Sequence, residues 1–106
     1  MNHGTVAIAV VHRQVVLIQA ARSHNRRDRW LDVYTYNLFG DGVFLASDVP
    51  QARIASSDLL TIFPFRTTTT DMIELSPRAF QEYLELSSKY QKSYENLWQG
   101  RKARLR

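Results

Sequence analysis

The 106-residue chain has no cysteine, only three prolines and four glycines, and no long apolar run. The absence of cysteine excludes disulfides, thiolate nucleophiles and zinc–thiolate sites. The longest apolar run, Val6–Val11, is far shorter than the roughly 20 residues that cross a bilayer. It also lacks the flanking residues of a signal peptide. We therefore expect one cytoplasmic domain over residues 1–106 and no contact with a membrane.

Positive charge is segregated along the chain. The formal net charge is +4, but residues 1–29 carry +4, residues 30–100 carry −4 and residues 101–106 carry another +4. Clustered positive charge attracts anionic polymers, because each neutralised phosphate releases condensed counterions. Arginines that serve only solubility would give the same pattern. Both interpretations of the two clusters remain open.

Two β-branched runs begin the chain. Val6–Val11 and Val15–Gln19 have the length and composition of strands rather than of a helix. The residues between them, His12 to Gln14, include none of the Gly or Asn that tight turns prefer. The pattern therefore predicts either a hairpin or one long strand that bends near Arg13.

The strongest hairpin signal lies in the middle of the chain. Trp30–Leu38 alternates apolar and polar residues, and Val43–Ala46 resumes the apolar character after an Asp41-Gly42 pair. Further along, Pro50 predicts a turn, and Pro64 predicts the end of another short strand. The threonines of residues 67–70 fit a strand or a linker equally well.

A long helix is predicted after Ser76. Serine caps free amides at a helix start, and Pro77 suits the first helical position. No proline or glycine interrupts the chain until Gly100, which predicts a helix over residues 77–99 followed by a basic tail. Apolar residues recur at helical spacing on one face of this segment. They include Phe80, Tyr83, Leu84, Leu86, Tyr90, Tyr94, Leu97 and Trp98.

These elements predict an α+β fold. We expect a small antiparallel, strongly curved sheet or SH3-like barrel over residues 5–75, then the single helix. The strand rhythm resembles small SH3-like barrels in general, a group that includes nucleic-acid-binding modules, MazF-like toxins and plasmid-type dihydrofolate reductases. The runs that carry this resemblance are Val15–Ile18, Trp30–Tyr36, Val43–Ala46 and Leu60–Phe63. Leu60–Pro64 is faintly similar to the folate-contacting strand of those reductases. The resemblance implies a fold and no site residues.

No linear motif for catalysis is present. The aspartates stand in turn contexts, where their side chains favour local hydrogen bonds. The three histidines, His3, His12 and His24, lack metal-ligand spacing, and we expect each to be exposed in a turn. We therefore expect no metal and no cofactor. An oligomeric barrel enzyme with a site between subunits is the least favoured class of function.

A basic loop before Trp30 is the best candidate for a binding site. Arginines beside aromatic side chains can hold single-stranded nucleic acid through phosphate contacts and base stacking. The alternative is that Trp30, Tyr34 and Tyr36 pack against the helix as core. The candidate contact residues are Arg22, His24, Arg26, Arg27, Arg29 and Trp30 in the loop, and Arg101, Lys102, Arg104 and Arg106 in the tail.

The aromatic residues of the helix suggest a second class, a protein-interaction module. Tyr83, Tyr90, Tyr94 and Trp98 offer more aromatic surface than one small sheet can cover over six turns. Tyrosine and tryptophan are enriched at protein interfaces. These four residues therefore predict contact with a protein partner or with a second copy in a homodimer.

Overall fold

The computed structural model describes residues 1–67, 69 and 71–104, with side chains up to Tyr90 apart from those of residues 48–50. Within this part, the chain forms six strands, a short 3₁₀ helix (η1) and one α-helix. These are β1 (Thr5–Val11), β2 (Gln14–Ala20), β3 (Trp30–Gly40), β4 (Val43–Ala55), η1 (Ser56–Asp58), β5 (Leu59–Arg66), β6 (Met72–Glu74) and α1 (Pro77–Arg104).

The strands form one antiparallel sheet in the order β5-β1-β2-β3-β4-β6. All six strands contribute side chains to a single buried cluster, which requires the sheet to curve strongly. The predicted α+β class, curved antiparallel sheet and C-terminal helix are therefore confirmed. The sheet does not close into a barrel, since β5 and β6 remain its two edges.

The β3–β4 hairpin turns at Asp41 and Gly42, as the sequence predicts. Gly42 has a φ of +75°, which glycine adopts without the steric cost that a Cβ imposes. A Cβ at this position would also lie 3.2 Å from the carbonyl oxygen of Leu75, where the chain leaves β6. Glycine thus permits both the turn and the close approach of β6.

The β1–β2 connection is a two-residue turn made by His12 and Arg13. Both residues have positive φ, +50° and +65°, as type I′ hairpin turns require. The alternative of one bent strand is therefore wrong. Two residues with a Cβ hold a conformation that asparagine and glycine adopt at lower cost.

Replacing Arg13 by glycine is expected to raise the free energy of unfolding by about 0.5–1 kcal/mol, because it relieves the left-handed backbone conformation. Urea denaturation measures the change. Arg13→Ala is the control, since it removes the same side chain but keeps the Cβ and should not stabilise. Equal effects of the two variants would contradict the backbone explanation.

β4 continues past Pro50, so the predicted turn there is wrong. The register shifts between the pairs Tyr34–Gln51 and Tyr36–Ala46, which places the four residues 47–50 opposite a single residue of β3. Such an irregularity bends a strand without ending it. The residues that resemble a turn, including Pro50, therefore lie at a bend within one long strand.

Pro64 likewise lies within β5 rather than at its end. β5 is an edge strand that pairs with β1 alone. At an edge, the missing N–H of proline need not be replaced by another ladder bond. The prediction that Pro64 ends the strand is wrong because the edge position was not visible in the sequence.

Two buried clusters cover opposite faces of the sheet, because alternate residues of a strand point to opposite faces. In β1, for example, Val6 and Ile8 face one way, and Ala7 and Ala9 face the other. The helix-side cluster contains Val6, Ile8, Leu17, Tyr36, Phe44, Phe63, Ile73, Leu75, Ala79 and Tyr83. The second cluster contains Ala7, Ala9, Val16, Ile18, Leu31, Val33 and Ile54.

A buried glutamine holds the segment between β5 and β6. Gln19 Nε2 donates to the carbonyl oxygens of Thr67 at 2.6 Å and Thr69 at 3.2 Å, and its Oε1 accepts from the Tyr36 hydroxyl at 2.9 Å. Gly4 lies against the same segment, where a Cβ would be 2.6 Å from the Thr67 oxygen. Thr67 and Thr69 thus belong to an anchored crossing rather than to a strand.

The helix begins where the sequence predicts. Pro77 is its first residue, and the Ser76 hydroxyl accepts a hydrogen bond from the Ala79 amide at 3.3 Å. The Phe80 amide donates to the Ser76 carbonyl at 2.9 Å. Serine therefore caps the helix as expected.

The helix does not end at Gly100 but continues to Arg104. Glycine inside a helix costs about 1 kcal/mol relative to alanine, which is not enough to stop one. No proline follows in the remaining residues. The residues Arg101 to Arg104 are thus part of the helix, and the prediction that the helix ends at residue 99, before a separate basic tail, is wrong.

Among the helix residues whose side chains are described, up to Tyr90, those of the first turns are buried against the sheet. Ala79 and Tyr83 belong to the helix-side cluster, and Phe80 and Leu86 pack against it. Leu84, which the periodicity placed in the apolar stripe, is 40% exposed. At 1.5 Å per residue, the 28-residue helix is about 42 Å long.

Candidate nucleic-acid interface

The basic segment forms the loop from β2 to β3. The side chains of Arg22, Arg26, Arg27 and Arg29 are all exposed. Hydrogen bonds inside the loop shape its tip: the Asn25 amide donates to Asp28 Oδ2 at 3.1 Å, and the Arg27 amide donates to Asn25 Oδ1 at 2.9 Å. Short polar side chains thus order the loop through its own backbone.

His24 is buried, so the prediction that it is exposed and faces a ligand is wrong. Only 6% of the residue is accessible. Its Nε2 accepts a hydrogen bond from the Asp32 amide at 3.0 Å. Its backbone amide donates to the Met1 carbonyl at 2.7 Å, and its carbonyl accepts from the Met1 amino group at 2.9 Å. His24 therefore ties the loop to β3 and to the first residue.

These contacts select the neutral form of His24. An acceptor at Nε2 requires the proton to sit on Nδ1, which has no partner among the described residues. Burial, and secondarily the positive charge of Arg22, lowers the pKa of the imidazole below its ordinary 6.5. A buried imidazole of this kind anchors the loop and is not placed to contact a phosphate.

Asp32 joins two arginines from different parts of the chain. Arg22 Nε lies 2.7 Å from Asp32 Oδ2, and Arg53 Nε lies 3.1 Å from Oδ1. Hydrogen bonds from Arg22 and then Arg53 lower the pKa of the carboxyl group. The three groups together leave one net positive charge at the exposed surface.

Arg53 is a site residue that sequence reasoning missed. It lies directly opposite Asp32 in the β3–β4 ladder. Nothing within a few residues of Arg53 signals this, since the partners are 21 positions apart. Predicting this contact requires the β3–β4 register beyond the irregularity in β4, where residues 47–50 lie opposite a single residue of β3.

Trp30 is 58% exposed and opens β3 opposite Ala55. Because side chains two apart share a strand face, Trp30 lies on the same face as Asp32, beside Arg53 of the next strand. Tyr36, further along β3, is buried in the helix-side cluster, and Tyr34 packs against that cluster. The interpretation of these aromatics as core is therefore confirmed for the two tyrosines and wrong for Trp30.

A polar cleft of about 680 Å³ extends this surface on the side of Arg22. It is lined by Asn2, His3, Ser23, Arg66 and Thr67. The His3 amide donates to the Ser23 hydroxyl at 3.2 Å, which joins the N-terminal segment to the loop. Arg66 thus brings a further exposed guanidinium to this end of the sheet.

The remaining predicted contact residues lie in the part of the helix whose side chains are not described. The backbone of Arg101, Lys102 and Arg104 is helical, but their side chains lie outside the described residues, as does Arg106 altogether. The side chains of Tyr94 and Trp98 also lie outside them. Tyr90 is half-buried.

Tyr83 is core rather than interface. It is 7% exposed, and its ring centroid lies 4.9 Å from that of Phe44 in an edge-to-face arrangement. Its hydroxyl is 3.4 Å from the Val15 carbonyl, and burial raises its pKa above 10. The prediction that Tyr83 contacts a partner is therefore wrong.

A groove of about 440 Å³ runs between the helix and the ends of β2 and β3. Arg13, Tyr83, Ser87 and Tyr90 line it, together with neighbouring residues of the two strands. Within the described part of the chain, no three His, Asp or Glu side chains come together as metal ligands. Nor is any helix in that part long and apolar enough to cross a membrane.

The exposed arginines of the loop, Trp30 and Arg53 thus lie at the same end of the sheet. Compared with protein-family models, with curated proteins and with solved structures, the chain matches none of them.

Proposed function

We propose that this protein binds single-stranded nucleic acid at the basic end of its sheet. Arg26, Arg27 and Arg29 contact phosphates, and Trp30 stacks on a base. The observation that carries the proposal is the anchored loop, in which the buried His24 fixes the backbone while the three arginine side chains stay exposed.

The charges of the loop are available to a ligand. Among the described residues, Arg26, Arg27 and Arg29 take part in no ion pair, whereas Arg22 and Arg53 share Asp32. A loop ordered before binding loses less conformational entropy when it binds. Unpaired guanidinium groups on such a loop favour phosphate contacts that release counterions.

Trp30 favours a single strand over a duplex. An exposed indole beside arginines can stack on an unpaired base, and such stacking contributes about 1–3 kcal/mol per base. Bases inside a duplex already stack on each other, and the basic surface offers a loop rather than a helix for the major groove. Duplex contacts would therefore involve phosphates alone.

Binding to labelled single- and double-stranded oligonucleotides across a salt series tests the proposal. The Arg26→Ala/Arg27→Ala/Arg29→Ala variant is expected to bind the single strand about tenfold or more weakly at low salt. The affinity falls with salt, and each lost phosphate contact makes the negative slope of log K against log salt about 0.7 less steep. The loss of three contacts should therefore reduce the magnitude of the slope by up to about 2.

The matched control removes three positive charges elsewhere, in Arg13→Gly/Arg78→Ala/Lys89→Ala, and should keep the salt slope of the parent. A second variant, Trp30→Ala, should weaken single-strand binding without changing the slope. If the two triple variants lose affinity equally, only net charge matters and the loop is not the site. No binding by the parent at low salt would refute the proposal.

A further inference from the structure

Arg22, Asp32 and Arg53 form one row across the basic end of the sheet. Asp32 lies on β3, and the chain on its two sides supplies its partners. On the side of β2, the Ala21 amide donates to the Asp32 carbonyl at 2.9 Å, and Arg22 comes next in the chain. On the side of β4, Arg53 lies directly opposite Asp32. The carboxylate of Asp32 therefore lies between two guanidinium groups.

The two arginines bind different oxygens of the carboxylate. Arg22 Nε donates to Asp32 Oδ2, and Arg53 Nε donates to Oδ1. A carboxylate oxygen has two lone pairs, so each of these oxygens can accept one more hydrogen bond. Among the described residues, the Nη2 group of Arg22 and both Nη groups of Arg53 donate to no acceptor. The row thus offers a hydrogen-bond donor on each side of an acceptor.

These groups are accessible to a ligand. The side chains of Arg22 and Arg53 are 53% and 68% exposed, and that of Asp32 is 33% exposed. A depression of about 270 Å³ lies against the row, with Ala21, Asp32 and Arg53 among its lining residues. Its volume is below the roughly 300–1,000 Å³ of sites for drug-sized ligands, so it fits a smaller group such as one base.

Trp30 places a stacking surface beside the row. It precedes Asp32 by two residues on the same face of β3, and it lies opposite the small side chain of Ala55. At about 3.4 Å per residue, Trp30 and Asp32 are about 7 Å apart along the strand. A base that stacks on the exposed indole can therefore turn its hydrogen-bonding edge towards Asp32 and its two arginines.

The order donor–acceptor–donor complements the edge that thymine and uracil share. Both bases present a carbonyl oxygen on each side of a ring N–H, which matches two guanidinium groups around a carboxylate. Cytosine and adenine present an amino group beside an unprotonated ring nitrogen, so a donor would face a donor and a lone pair would face the carboxylate. Guanine presents its amino group to one of the arginines. Polar groups mismatched in this way lose hydrogen bonds to water without replacing them.

We propose that the row of Arg22, Asp32 and Arg53 selects thymine or uracil at the position that stacks on Trp30. The Asp32 carboxylate accepts the ring N–H, and the guanidinium groups of Arg22 and Arg53 donate to the two carbonyl oxygens. This inference rests on the proposed function, since it assigns a base preference to the single strand that the loop arginines bind. Contacts to phosphates position a strand without reading its sequence, whereas contacts to base edges specify it.

Fluorescence anisotropy with short labelled strands of thymidine and of deoxycytidine tests the base preference at one salt concentration and neutral pH. The thymidine strand should bind at least about tenfold more tightly, since the two rings are similar in size and differ in their edges. Strands of uridine and cytidine should show the same order, because uracil has the edge of thymine. A strand of 3-methylthymidine, which lacks the ring N–H, should lose the advantage.

Two variants distinguish base selection from overall affinity. Arg53→Leu removes one outer donor and should lower the ratio of thymidine to deoxycytidine affinity by about fivefold. Arg27→Leu removes the same charge from a phosphate contact, so both affinities should fall while their ratio stays.

The outcomes separate this inference from the proposed function. Equal binding of the thymidine and deoxycytidine strands, or undiminished binding of 3-methylthymidine, would overturn the base preference and leave single-strand binding in place. An equal effect of Arg53→Leu and Arg27→Leu on the affinity ratio would also overturn the role of the row. Binding of neither strand by the unmodified protein would refute both proposals.

Discussion

Replacing Phe44 by alanine is expected to lower the free energy of unfolding by about 3–5 kcal/mol. Phe44 is fully buried in the helix-side cluster, where its ring meets Tyr83 and Phe80 edge-on at centroid distances of 4.9 and 6.2 Å. Removing it opens a cavity between the sheet and the helix. Since small domains are stable by about 5–15 kcal/mol, this loss is a large share of the total.

Phe39→Ala provides the control for this prediction. Phe39 belongs to the same hairpin but is 74% exposed, so its replacement should change stability by no more than about 0.5 kcal/mol. Chemical denaturation followed by circular dichroism measures both variants. Similar values for the two phenylalanines would show that the helix does not pack on Phe44.

Acid is expected to destabilise the protein through His24. In the folded state, the neutral imidazole of His24 accepts a hydrogen bond from the Asp32 amide, and burial lowers the pKa of the imidazole below 6.5. The unfolded chain therefore binds a proton first as the pH falls. The free energy of unfolding should be constant above pH 6.5 on this account and should decline below it until the folded-state pKa is reached.

Other charges near His24 act in a different pH range or oppose each other. Arg22 and the Met1 amino group lower its pKa, whereas Asp28 and Asp32 raise it. The pKa of Asp32 is itself held below 3.8 by Arg22 and Arg53, so the stability that this carboxylate contributes is lost only below that value. The interval between pH 6.5 and about 4 thus reports mainly on His24.

The variant His24→Gln distinguishes the protonation of His24 from its role as a hydrogen-bond acceptor. The glutamine side-chain oxygen can accept the hydrogen bond from the Asp32 amide, but glutamine does not titrate in this pH range. This variant should lose most of the decline in stability below pH 6.5. His3→Gln, at an exposed histidine, should keep it. His24→Ala should cost about 1–3 kcal/mol at pH 7, since it leaves the Asp32 amide without its acceptor. An unchanged pH profile in His24→Gln would contradict the assignment.

Local patterns were sufficient for several elements. Asp41-Gly42 between two alternating runs predicted the β3–β4 hairpin, and Ser76-Pro77 predicted the helix start. Both depend on the backbone preferences of a few adjacent residues, which act in the same way in most proteins. The position of the basic loop was also visible, because clustered arginines exclude a buried strand.

Other features depended on contacts between distant residues. Nothing near Arg53 shows that it meets Asp32, and nothing near His24 shows that Met1 and β3 enclose it. Pro50 and Pro64 look like strand ends until the irregular ladder of β4 and the edge position of β5 are known.

The chain by itself therefore determined the fold class, the main hairpin, the helix start and the location of the arginines. The tertiary structure alone decided which aromatic residues are buried: Tyr36 lies under the helix, whereas Trp30, on the same strand face, lies exposed. Alternation assigns a residue to a face, but burial depends on what covers that face at each point along the strand. That cover comes from elements far away in sequence, and local propensity carries no information about them.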